Sequence, residues 1–140
     1  MNTALTITRE FHTARRRDGK QHLHRGAALE TPRGKIPRIS RLMALAIYCD
    51  ELLRTGQVAN QSALAELSHI TTARMTQILS LLNLAPDIQE GLLFLPRTME
   101  GRDAIHERDV RRIAMESDWG KQREVWKQLV SNYFERTDEV

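Results

Sequence analysis

Residues 60–83 read Asn60-Gln-Ser-Ala-Leu-Ala-Glu-Leu67-Ser-His-Ile70-Thr71-Thr-Ala-Arg-Met-Thr-Gln-Ile-Leu-Ser-Leu-Leu-Asn83. Asn60 and Thr71 are both helix-capping types, whose side-chain oxygen accepts an N–H of the first turn. Each opens a short helical run, 61–67 and 72–82. Ser68-His69-Ile70 between them leaves room only for a tight turn. Two short helices so joined have the geometry of a helix-turn-helix. In the second run Met75, Ile78, Leu79 and Leu82 recur at i, i+3, i+4 and i+7, one apolar stripe. The opposite side carries Thr72, Ala73, Thr76, Gln77 and Ser80, with Arg74 on its edge. Small and hydrogen-bonding groups of this kind can approach base edges. Gln bonds adenine in a bidentate way, Thr and Ala touch the thymine methyl, and Arg reaches guanine or a phosphate. Thr71 and the free amides behind it suit a phosphate. The pattern predicts a helix that lies in the DNA major groove, with Thr72, Ala73, Arg74, Thr76, Gln77 and Ser80 at the bases.

Outward from this pair the chain continues as helices. Ser40 is a good N-cap for a helix over about 41–55, with Leu42, Leu45, Ala46, Cys49, Leu52 and Leu53 as its apolar stripe and Gly56 as its left-handed terminator. Cys49 on that stripe reads as a packing residue rather than a nucleophile. Pro86 fits the first turn of a helix over 86–94, with Asp87 and Glu90 near its positive end. Residues 95–103 read as a loop, and 105–114 as a short helix with Ile105, Val110 and Ile113 inward. The last helix should span about 118–134. Trp119, Trp126, Val130 and Tyr133 share one side of it, with Leu129 beside them. That side is expected to close the core, a dimer interface being the alternative. The expected fold is all-α: a compact helical domain of five to six helices over 37–135, containing the helix-turn-helix, with a fraying tail at 136–140. With only 5% aromatic residues the core must be aliphatic.

Residues 1–36 read differently, as a basic, partly irregular arm and linker. Residues 1–41 hold ten Lys or Arg and three acidic residues, whereas 42–140 hold eleven and fifteen. Leu5, Ile7 and Phe11 alternate, and Asp18-Gly19 is a hairpin-turn dipeptide, so the segment forms either a short β-hairpin or a flexible arm. Pro32, Gly34 and Pro37 then exclude a continuous helix. Basic arms beside a major-groove helix track phosphates or enter the minor groove. Arg15, Arg16, Arg17, Lys20, Arg25, Arg33, Lys35, Arg38 and Arg41 are the expected phosphate contacts, with Thr71.

Leu64-Ala65-Glu66-Leu67, the run Thr71 to Leu84, and Pro86-Asp87-Ile88-Gln89 together resemble the helix-turn-helix of ParB/KorB-type DNA-binding proteins over about residues 40–95. That family has a similar Leu-Leu-Asn-Leu-Pro segment after its second helix. The resemblance implies sequence-specific duplex DNA binding through the 72–82 helix, usually by a dimer. Ser68 and His69 stand where the family's turn usually has glycine. The arginine-rich nucleotide-binding signature of the ParB CTPase/nuclease domain is missing, so clamp sliding and CTP hydrolysis are not implied. Arg38-Ile39-Ser40-Arg41 and the segment from Trp119 to Trp126 are similar to small proteins encoded beside site-specific recombinases on mobile elements. That likeness ranks the roles: transcriptional regulator, or recombination or partition accessory factor of a mobile element, with a recombinase as a further partner.

Other chemistries find little support. The single cysteine excludes an internal disulfide and a cysteine-rich zinc site. His22 and His24 have strand spacing for two ligands but lack the further ones zinc needs, and read as polar residues of the arm. His106-Glu107 opens like a zinc-protease motif, but Val110 stands where the second histidine belongs. Asp103, Glu107 and Asp109 read as solvated helix-start charges rather than a nuclease metal site. No enzyme activity, cofactor, metal or small-molecule substrate is expected. The first residues lack a signal peptide's apolar run, and no stretch approaches the about 20 apolar residues of a membrane span. The expected place is the cytoplasm, without membrane contact. Two functions from other classes compete: a protein-interaction adaptor with a basic docking arm, and an RNA-binding protein, which the scarcity of aromatic stacking residues disfavours.

Overall fold

The computed structural model describes residues 6–15, 18–28 and 32–137, the side chains of 136 and 137 excepted. The chain is mostly helical. A two-stranded antiparallel sheet, β1 (Phe11–Arg15) and β2 (Gln21–Arg25), precedes six helices: α1 (Arg38–Arg54), α2 (Gln61–Leu67), α3 (Thr72–Leu79), α4 (Pro86–Leu93), α5 (Glu107–Ala114) and α6 (Trp119–Thr137). They fall into two compact units, Met1–Arg33 and Gly34–Val140.

In the first unit the hairpin alternative holds over a flexible arm. Phe11 pairs with Arg25 and Arg15 with Gln21. Asp18 Oδ1 accepts the Lys20 amide at 3.1 Å, an Asx-type turn. Of the expected alternation, Leu5 lies outside the described residues, Ile7 is exposed beyond the strand, and Phe11 opens β1. His12 and His24 face one another across the strands with their rings stacked, centroids 5.4 Å apart. No residue of either strand is buried.

In the second unit α1 begins three residues earlier than its sequence suggests, and Ser40 is not its cap. Pro37 precedes it with φ −54°, already near the helical value, and the Arg38 amide donates to the Asp103 carboxylate at 2.8 Å. The cap thus comes from 65 residues away, while Ser40 is buried inside the first turn. The earlier start shows which face turns inward. Ile39, Met43, Ala46 and Cys49 are buried, and Leu45, expected on the stripe, is exposed. Gly56 ends the helix at φ +72°, as expected. Gly34, just before the unit's first bridge, has φ +85°, and a Cβ there would lie 2.9 Å from the Thr98 carbonyl. That close approach lets Lys35 and Thr98 exchange both backbone hydrogen bonds, which tie the linker to the 95–103 loop.

The α2–α3 connection is a Schellman turn. The Ile70 amide reaches back to the Ala65 carbonyl and the His69 amide to Glu66. His69 occupies the left-handed position, φ 55°, where glycine is the usual choice. Ile70 then inserts between two apolar clusters: Cys49, Leu64, Ala65 and Met75 on one side, and the main core built from α1, α4 and α5 on the other. Asn60 and Thr71 cap as expected, accepting from Ala63 and Arg74 at 2.9 and 3.1 Å.

α3 is shorter than the 72–82 expectation. After Leu79 the chain tightens into a 3-10 turn over Ser80–Asn83. At three residues per turn the phase shifts. Leu81 becomes fully buried, while Leu79 and Leu82, expected inward, are half-buried. The extended Leu84-Ala85 step that follows leaves backbone groups without helical partners. Side chains from elsewhere satisfy them. Gln89 donates to the Leu82 and Leu84 carbonyls. Gln122 accepts the Ala85 amide at 2.8 Å and donates to the Asn83 and Glu116 carbonyls. Gln122 is 1% exposed, the most buried of the described side chains of α6. Trp126, Leu129 and Val130 of the expected stripe do pack on the core, Trp126 against Gly91. Trp119 does not: it is 47% exposed and reaches the Asn83 carbonyl with its Nε1. In α5 the expected Val110 and Ile113 are buried, as is Ile105 just before it. The tail expected to fray from 136 stays helical through Thr137, and 138–140 lie outside the described residues. Among the described residues no helix is long and apolar enough to cross a membrane.

Candidate nucleic-acid interface

Burying Met75 and Ile78 leaves the other side of α3 open. Thr72, Ala73, Thr76 and Gln77 are exposed, as is Thr71 at its cap, while Arg74 and Ser80 are half-buried. Their hydrogen bonds set what they offer outward. Thr76 Oγ1 donates to the Thr72 carbonyl at 3.0 Å, and Ser80 Oγ to the Gln77 carbonyl at 2.7 Å. Both hydroxyl protons are thus committed to the backbone, and the oxygens present acceptor lone pairs. Thr71 Oγ1 accepts the Arg74 amide. Ala73 offers only a methyl group.

Arg74 is held from two sides. Its guanidinium makes a fork–fork pair with Glu107 at the start of α5, Nη1 to Oε1 and Nη2 to Oε2 (the latter 3.0 Å), and Nη1 also donates to Gln77 Oε1 at 3.2 Å. The Arg74 hydrogen bond holds the Glu107 carboxyl below the usual carboxylate range, against the opposing effect of burial, and Arg111 and Arg38 add to it. The same bond raises the Arg74 guanidinium. Arg111 Nε lies 3.8 Å from Glu107 Oε1 and has no hydrogen-bond partner among the described residues.

α5 adds what the sequence reading missed. Arg108, Arg111 and Arg112 stand along an open groove of about 400 Å³. Thr76, Gln77 and Ser80 of α3 form its other wall, and Met115 its end. The signal was present in the sequence: Arg108, Arg111 and Arg112 lie at helical spacing on the side away from Val110 and Ile113. What the sequence did not give was the neighbour, since α5 is set beside α3 by packing on the 3-10 turn.

The remaining expected sites lie on other elements. Arg38 and Arg41 share the start of α1, where they flank a shallow pocket with Leu42 and Leu45. Lys35 Nζ donates to the Gly101 carbonyl at 3.0 Å. Arg15, Lys20 and Arg25 are exposed on the hairpin and Arg33 is exposed after it, whereas Arg16 and Arg17 lie outside the described residues. Asp103, Glu107 and Asp109 do not converge. Asp103 holds the Arg38 amide and the Thr98 hydroxyl, Glu107 holds Arg74, and Asp109 sits near His106. Among the described residues no three His, Cys, Asp or Glu side chains are grouped as metal ligands.

Comparison with protein-family models, with curated proteins and with solved structures finds no match to this chain.

Proposed function

We propose that this chain is a sequence-specific, non-enzymatic double-stranded DNA-binding protein in which α2 and α3 work as a helix-turn-helix. α3 enters the major groove with Thr72, Ala73, Thr76 and Gln77 toward the bases. Arg108, Arg111 and Arg112 on the neighbouring helix lie where the groove's phosphate wall would run, and Arg38 and Arg41 at the start of α1 are further proposed phosphate contacts. One observation supports this reading above the others: a helix side of small, hydrogen-bonding residues that is open to solvent and lined along one edge by three arginines. Phosphate contacts of this kind position the protein, and the α3 side chains choose the sequence. A single helix of two turns reads few bases, so the proposed working form is a homodimer on an inverted repeat, its half-sites about one helical turn of DNA apart. The roles that fit are transcriptional regulator or accessory factor in recombination or partition of a mobile element.

Selection of bound duplexes from a random pool tests the proposal. A defined, symmetric site is expected. Gln77→Ala should then lose about 1–3 kcal/mol of discrimination at one base pair per half-site, read by titrating single-base variants. Equal retention of every duplex in the pool, or a preference for single-stranded RNA, would overturn it.

A further inference from the structure

Arg74 is the only basic residue of α3, and it does not stand free. Its fork meets Glu107 of α5, and one nitrogen also holds the Gln77 amide. A guanidinium can only donate, so the Gln77 atom it faces is the oxygen, and the polarity of that amide is set by chemistry. The pair is shielded: the side chains of Arg74 and Glu107 are 27% and 17% exposed. Three residues on two helices thus form one chain, from Glu107 through Arg74 to Gln77. Only the last of them is exposed.

We infer that Glu107 is a specificity-determining positioning residue: by restraining Arg74 it fixes which way the Gln77 amide presents donor and acceptor to a base, and keeps the guanidinium off the phosphates. The inference rests on α3 being the base-reading helix. A free amide offers its donor and acceptor in either order, but only one order matches a given adenine edge. An amide held before DNA arrives also loses less freedom on binding. The carboxylate itself acts in the opposite direction, because a negative charge beside the groove weakens association with every duplex. Glu107 therefore lowers affinity for DNA in general while raising the preference for one sequence, a combination that a residue supporting only the fold does not produce.

The test is fluorescence anisotropy at fixed salt with two duplexes, the best site from the random pool and a scrambled duplex of equal length. The proteins are the full chain, Glu107→Gln, Arg74→Ala and the double variant, each checked for helicity by circular dichroism. Glu107→Gln should bind the scrambled duplex more tightly and lower the ratio of the two affinities by about tenfold. In the Arg74→Ala background the same change should leave the ratio where it was. An unchanged ratio in Glu107→Gln, or an equal fall with and without Arg74, would sink the positioning role while leaving the DNA reading intact. A full chain that discriminates between no duplexes would sink both. Should Glu107→Gln fail to fold, Glu107→Asp keeps the charge but shortens its reach by one methylene. It should lower the ratio without tightening the scrambled complex, and a ratio equal to that of the full chain overturns the role.

Discussion

The hairpin and the third helix both carry polar side chains at the surface, and they hold them in opposite ways. On the hairpin, Arg15, Lys20 and Arg25 extend from a ribbon with no buried residue and make no ion pair among the described residues. On α3, nearly every polar side chain is tied down: Thr71 to an amide, Thr76 and Ser80 to carbonyls, Arg74 to a carboxylate on another helix. Exposed, unpaired charges give attraction that does not depend on sequence and that salt screens. Restrained groups give geometry, which is what telling one base edge from another requires. Under the proposed function the hairpin adds sequence-independent attraction to that of the α1 and α5 arginines, and α3 supplies the choice of sequence, so each can be altered alone.

Removing residues 1–33 is the strongest way to break this contrast. Cutting there, rather than at 36, keeps the Lys35–Thr98 bridge. Binding to every duplex should weaken by about a hundredfold near physiological salt, and the salt slope of log K should flatten by about one unit per phosphate released. The selected sequence should not change. Anisotropy over a salt series reads both effects, and an altered sequence preference would place selectivity in the hairpin unit as well.

Gln122→Leu sharpens the comparison from the other side. The change removes the amide but keeps an apolar side chain of similar size, and leaves the buried Ala85 amide and the Glu116 carbonyl without their partner, while Asn83 keeps its bond from Trp119, at about 1–3 kcal/mol for a buried group left unpaired. Thermal melts should show the same loss in the full chain and in 34–140. A loss confined to the full chain would mean that the hairpin contributes to the stability of the helical unit.

Acid gives the smallest effect. Glu107 is held low by the Arg74 pair. At Asp103 burial raises the carboxyl, but the Arg38 amide and the Thr98 hydroxyl outweigh it, so the net shift is also downward. Both groups bind protons more weakly folded than unfolded. Their stabilisation is therefore complete above the ordinary carboxylate range near pH 4 and is lost as pH falls through the lower folded values. Melting temperature should drop across that window, and the drop should shrink in Glu107→Gln and again in Glu107→Gln/Asp103→Asn. An equal drop in all three would assign acid lability to other carboxylates.

What the sequence showed, and what it did not, divides by distance along the chain. Asn60, Thr71, Gly56 and Pro86 act within one helical turn of themselves, and each stands in the structure in the role its residue type suggests. Asp103 caps a helix that starts 65 residues earlier, and Gln122 completes a corner 37 residues before it. Neither bond leaves a local pattern. A carboxylate near a helix start reads as dipole compensation, and a glutamine amid charged residues reads as surface. The 3-10 turn escaped for a related reason: Ser-Leu-Leu-Asn suits either helix type, and the extended corner before Pro86, held by Gln89 and Gln122, is what tightens it. The face of α3 was legible because its inner stripe is periodic, whereas its arginine-lined edge belongs to a helix near it only in three dimensions.

Cys49, 2% exposed between α1 and α2, is the chain's sole thiol, and burial pushes its pKa up. Thiolate-directed reagents react with it only when α1 parts from the Leu64 and Met75 cluster that covers it. Alkylation kinetics on the unmodified protein thus measure, without any introduced label, how often the scaffold beneath α3 opens.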